Sequence, residues 1–231
     1  MRLARPERGA ARTIVLGGLA LFAAAAVVVA FLQLRPVHTD IRVFDPDHMA
    51  RLDTDMWRSY YDKKPATLFL QLTQVLREEF HMPRSRAYGT AMLAARAAFV
   101  FKRGRTRADY ELALPDLRRY FADIRAISRT PFDVDRAART ELEWWIVHRE
   151  RGRHAPGDLS RSLAVAVSAL YGVEPARLAT YADERAAAMT IRDRRQAAGH
   201  VSEADWDAIA RHLQVSWRAL RDALKEEAGR R

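Results

Sequence analysis

Hydrophobic and polar positions follow two different patterns along this chain. From Thr13 to Leu34 no side chain is charged, and the run is fenced by Arg12 and Arg35. At about 1.5 Å per residue, such a run spans roughly 33 Å as a helix, enough to cross a bilayer core. Beyond it, apolar residues recur every three or four positions between proline and glycine breaks, the period of helices with one buried face. No segment alternates with period two over strand length.

The breaks mark out the helices. Asp45-Pro46 supplies a cap and an N1 proline for a helix running to about Asp62. Pro65 and Pro83 bracket a second over Leu68–Phe80, and a third, Ser85–Arg103, is closed by Gly104. Pro115 opens a short helix with Leu117, Tyr120, Phe121 and Ile124 on one face, and Asp133 caps another reaching about Arg151. Asp158 caps Leu159–Tyr171, with Gly172 behind it, and Pro175 starts a long helix to about Ala198. A capping box over Ser202–Asp205 precedes the last helix, whose apolar stripe is Trp206, Ile209, Ala210, Leu213, Trp217, Leu220 and Leu224. That stripe is a core seam by default. It serves equally as a surface for a protein partner or for self-association through Trp206, Leu213, Trp217 and Leu220.

The expected fold class is all-α: a single N-terminal transmembrane helix, then one bundle-like domain of about eight helices. The expected organisation is a cytoplasmic segment at 1–12, an anchor at 13–34 that engages the lipid bilayer, a linker at 35–45 and an extracytoplasmic helical domain at 46–228. Arg2, Arg5, Arg8 and Arg12, opposed only by Glu7, precede the run, whereas Arg35 and Arg42 behind it are diluted by Asp40, Asp45 and Asp47. The positive-inside bias therefore predicts a single-pass protein of the bacterial inner membrane with its N-terminus in the cytoplasm. Val28-Val29-Ala30 offers a cleavage site for the rival reading, a signal peptide, but the run exceeds the usual 7–15-residue apolar region.

Composition changes this picture little. The net charge is +10, but only Lys63, Lys64, Lys102 and Lys225 are lysines, and the arginines are interspersed with acids along the helices. Without an RNA-binding signature or zinc-finger spacing, nucleic acid is not an expected partner. The absence of cysteine excludes a disulfide framework, a thiolate metal site and a lipoprotein anchor.

Polar residues on apolar helix faces are the chemical clue. Glu79 continues the stripe of Leu68, Leu72, Val75 and Leu76; Glu141 and His148 lie on the face of Val134, Ala138, Leu142 and Trp145. Arg96 falls among Met92, Leu93, Phe99 and Val100, Asp53 among Met49, Met56 and Tyr60, and Arg185, Arg192 and Asp193 beside Leu178, Ala182 and Met189. A lone buried ion costs several kcal/mol, so these groups must pair, coordinate something or line a wet cavity. A salt-bridge network between helices is the plainer outcome. A pocket is the other, with Arg96, Arg185 and Arg192 clamping an anion and Glu141 orienting His148 as a general base. Asp53, Glu79 and Asp193 complete the ligand-binding set. A metal held by Glu79, Glu141 and His148 is its weaker version, and no cofactor is otherwise expected. Glu78-x-x-His81 has di-iron spacing but lies off the core face and has no second copy.

No serine elbow, P-loop or Gly-x-Gly-x-x-Gly fingerprint is present. The expected function is accordingly a membrane-anchored, non-enzymatic helical domain that binds a partner or scaffolds at the extracytoplasmic face. The alternative is a helical-bundle enzyme or small-anion-binding protein using the interior Glu/His/Arg cluster.

Overall fold

In a computed structural model of the chain, the described residues are 17–18, 21–30 and 37–230. They belong to two compact units, Met1–Pro36 and Val37–Arg231. The first unit is helical at 17–18 and 21–30. Among the described residues, no helix is long and apolar enough to cross a membrane. This corrects the expected anchor and, with it, the single-pass inner-membrane location. The described helical stretch at 21–30 accounts for a rise of about 15 Å, against the roughly 30 Å of a hydrocarbon core. The rest of the 13–34 run, and the segment expected at 1–12, lie outside the described residues.

The second unit is all-α. Its helices are α1 (Pro46–Tyr61), α2 (Pro65–Glu78), α3 (Arg84–Arg103), α4 (Arg107–Glu111), α5 (Leu114–Ile127), α6 (Val134–Arg149), α7 (Asp158–Tyr171), α8 (Ala179–Ala197) and α9 (Glu203–Ala228), with 3₁₀ turns at Arg151–Arg153 and Pro175–Leu178. Strand pairing among the described residues is limited to an isolated bridge between Thr39 and Ser128.

Local chemistry starts and stops these helices largely where the sequence places the signals. Asp45 accepts from the Asp47 and His48 amides, and Asp133 from that of Arg136. Ser202 and Asp205 form the expected capping box on α9. Ser202→Ala is expected to cost about 1 kcal/mol, read by urea unfolding. Three details differ. Thr106 and Asp109 build a second capping box that creates the short α4, which apolar periodicity is too brief to reveal. Pro175 opens a 3₁₀ turn before α8. Gly157, at φ +87°, is the cap of α7, while Asp158 turns back to accept from the Ala155 amide. The expected linker is also more than a spacer: Ile41 and Phe44 are buried, and Thr39 hydrogen-bonds to Ile127 and Phe80 carbonyls.

Each long helix packs on its neighbours along the chain: α1 on α2, α2 on α3, α3 on α5, then α5, α6, α7, α8 and α9 in turn. Finally α9 packs back on α1, closing a ring of eight helices, with α4 set against α3 and α6. The α9 stripe makes that closure. Trp206, Ile209, Leu213, Trp217, Leu220 and Leu224 are all buried within the domain, so the stripe is core and presents no free face. Eight helices packed 8–10 Å apart hold opposite axes roughly 24 Å from each other, about twice a helix diameter. The centre must be filled by long side chains or stay open.

Candidate functional site

The centre stays partly open. A cavity of about 690 Å³ runs through the ring, and each of its eight helices contributes to the lining. The wall of α3 shows why there is room: Ala94 and Ala98 line the space where larger side chains would fill it. Elsewhere the walls are aliphatic (Leu68, Leu72, Val75) and aromatic, and four of the five tryptophans, Trp57, Trp144, Trp145 and Trp217, face the bore.

Polar groups sit on this apolar surface in two clusters. Deep in the ring, Arg185 of α8 forks onto Asp53 of α1, Nη1 to Oδ2 at 2.5 Å and Nη2 to Oδ1 at 3.3 Å. Trp217 Nε1 donates to the same Oδ2 at 2.9 Å. Burial opposes the charge on Arg185, but the Asp53 carboxylate more than offsets it and raises its pKa. At the end of α2, Glu79 is 7% exposed and accepts from Tyr171 Oη at 2.5 Å. Burial pushes its pKa up to about 7, against the pull of the Tyr171 hydrogen bond. Glu141 on α6 accepts from Trp145 Nε1 at 3.0 Å, and burial raises its pKa too, opposed by the Trp144 and Trp145 indoles. Burial also raises Tyr120, Tyr171 and Tyr181, which remain neutral hydroxyls.

The second cluster centres on Asp193. His148 Nε2 lies 3.0 Å from its Oδ2, Arg192 Nη1 lies 3.1 Å from its Oδ1, and Arg151 pairs with it as well. Burial, then Arg151 and Arg192, depress the His148 pKa to about 4, so the ring is neutral at pH 7 and Nε2–H donates to the carboxylate. The Arg192 guanidinium stacks over Tyr61, 3.1 Å from the ring centroid. Nearby, Arg149 donates to the Phe101 and Lys102 carbonyls at the end of α3.

Seven candidates from the sequence thus line one cavity: Asp53, Glu79, Glu141, His148, Arg185, Arg192 and Asp193. Arg96 does not. It is 60% exposed and pairs with the buried Asp116, while Met92 and Phe99, two of the four expected inner markers, are also exposed and Leu93 is buried. The inner seam of α3 is mostly alanine (Ala87, Ala91, Ala97, with Thr90 and Leu93), so reading the face from its large residues rotated the helix. The expected Glu141–His148 dyad is not formed either, because Glu141 turns to Trp145 and His148 to Asp193. Among the described residues, no three His, Asp or Glu side chains are grouped as a metal site requires, so Glu79, Glu141 and His148 share the cavity without converging. His81 is exposed, its Nε2 2.7 Å from the Val43 carbonyl.

No family model, curated protein or solved structure matches the chain. Its chemistry must therefore be read from the site itself. Sequence periodicity missed the tyrosines. Tyr120 stands on a recognisable apolar face and Tyr171 ends another, and both read as packing. The available signal was the hydroxyl, which needs a partner once buried.

Proposed function

We propose that the Val37–Arg231 domain is a small-molecule-binding module whose ligand enters the bore of the helical ring. One observation carries this reading: a cavity of about 690 Å³ is lined by all eight helices of the ring, with apolar walls and a few convergent polar groups. That size and composition are those of organic-ligand pockets, typically about 300–1,000 Å³. The expected partner-binding or scaffolding role loses one surface offered for it, since the α9 stripe is buried in closing the ring.

The test uses a neutral apolar fluorophore, N-phenyl-1-naphthylamine, with the full chain. Saturable one-to-one binding is expected, with energy transfer from the bore tryptophans. Ala98→Trp, which fills the open wall of α3, should weaken it by about tenfold or more. A linear, non-saturating response, or binding unaffected by that substitution, would refute the pocket.

A further inference from the structure

We propose that the inner chamber of the bore receives the ammonium group of an organic amine, held between Glu79 and Glu141 against the aromatic wall. The proposal rests on the bore being a ligand pocket and adds the chemical class of the ligand.

The sequence alone suggests the opposite sign, an anion clamped by arginines. In the folded domain each of those arginines already has a carboxylate partner. Arg96 is on the surface, Arg185 is forked onto Asp53, and Arg192 is shared between Asp193 and the Tyr61 ring. Of the other cations at the bore, Arg151 is paired with Asp193, Arg149 caps α3 carbonyls, and Lys102 is exposed at the end of α3. In the deep cluster around Arg185 the unmatched charge is acidic. Among the described residues, neither Glu79 nor Glu141 has an arginine, lysine or histidine within ion-pair distance; their donors are the neutral Tyr171 hydroxyl and the Trp144 and Trp145 indoles. The groups that face Glu79 are Asp53 from α1, Tyr120 from α5, Glu141 from α6, Tyr171 from α7, and Tyr181 and Arg185 from α8. Three carboxyl groups thus share one guanidinium.

A buried carboxylate without a counter-ion is costly, and a cation entering the chamber removes that cost. An ammonium also has what the walls offer to bind it: Trp144, Trp145 and Tyr120 present aromatic rings, whose faces attract cations most strongly when desolvated. The aliphatic lining from Leu68, Leu72 and Val75 suits a hydrocarbon body rather than a bare inorganic cation. Binding is also linked to protons. Near neutral pH Glu79 is partly protonated, and an arriving ammonium keeps its own protons and releases that of Glu79 to solvent.

The experiment compares three probes of one shape on the full chain at pH 8 by calorimetry: 2-phenylethylamine, 2-phenylethanol and 3-phenylpropanoate. The amine is expected to bind at least about tenfold tighter than the other two. Glu79→Gln and Glu141→Gln should each remove that preference, lowering the affinity for the amine far more than that for 2-phenylethanol. At pH 7 the amine should release protons, seen as a binding heat that depends on the buffer's ionisation enthalpy. If the anion binds tightest, or the double Gln variant keeps the amine preference, the cation assignment falls while the pocket stands. If neither these probes nor the neutral fluorophore binds saturably, both readings fall together.

Discussion

Asp53→Ala is expected to destabilise the domain by about 3–5 kcal/mol, a large share of the 5–15 kcal/mol that holds a typical domain folded. Both partners of the ion pair are withdrawn from water, with side-chain exposures of 6% for Asp53 and 15% for Arg185. Truncating Asp53 leaves the guanidinium in the wall of the bore with no carboxylate, and Trp217 Nε1 loses its acceptor as well. The cost is that of stranding a charge, not that of the missing contact alone. It follows that Asp53→Leu combined with Arg185→Met, which removes both charges and keeps the volume, should recover most of the loss. Urea unfolding followed by tryptophan fluorescence measures all three proteins. A loss below about 1 kcal/mol in the single variant would mean that water in the bore solvates Arg185.

A second large effect concerns pH, because Glu79 and His148 pull stability in opposite directions. The Glu79 pKa is raised from 4.5 to about 7 in the folded domain. Its contribution is therefore complete below pH 4.5 and is lost as pH rises through about 7, at roughly 1.4 kcal/mol per pH unit, or about 3 kcal/mol in all. The His148 pKa is depressed from 6.5 to about 4. Its contribution is complete above pH 6.5 and is lost, by a similar amount, as pH falls through about 4. Between pH 4.5 and 6.5 the two slopes cancel, and Glu141, also raised by burial, adds a decline with rising pH. Difference curves separate the terms. Relative to the parent, Glu79→Gln should gain about 3 kcal/mol between pH 4.5 and 7.5, and His148→Gln should gain a similar amount between pH 6.5 and 4. A flat difference curve for either variant would show that its side chain is solvated in the fold.

How much of this was legible in the sequence depended on how local the cause was. Asp45, Asp133 and Ser202 announced their helices because a cap acts on amides two or three residues away. Glu79, Glu141, Asp53 and Arg185 were recognisable as misplaced because each stands on an apolar stripe of its own helix. Arg96 was misread because α3 buries alanines and exposes Met92 and Phe99, so side-chain size pointed to the wrong face. The run Thr13–Leu34 shows a different limit. Its apolar composition and arginine flank suggested a membrane crossing, yet among the described residues no helix meets the length and apolarity that crossing demands.

Pairing was beyond sequence reasoning altogether. Whether Arg185 meets Asp53 or Glu79, and whether His148 meets Glu141 or Asp193, depends on helices far apart in the chain. The sequence alone determined an all-α domain, most of its helix boundaries and which polar residues would be hard to bury. Those properties follow from hydrogen bonding and periodicity within one helix. Only the tertiary structure decided that the helices close into a ring, that the ring keeps an open bore, and that three carboxyl groups share one guanidinium in its deep cluster. Periodicity says which face of a helix is turned inward, but what it meets there depends on the seven other helices around the ring.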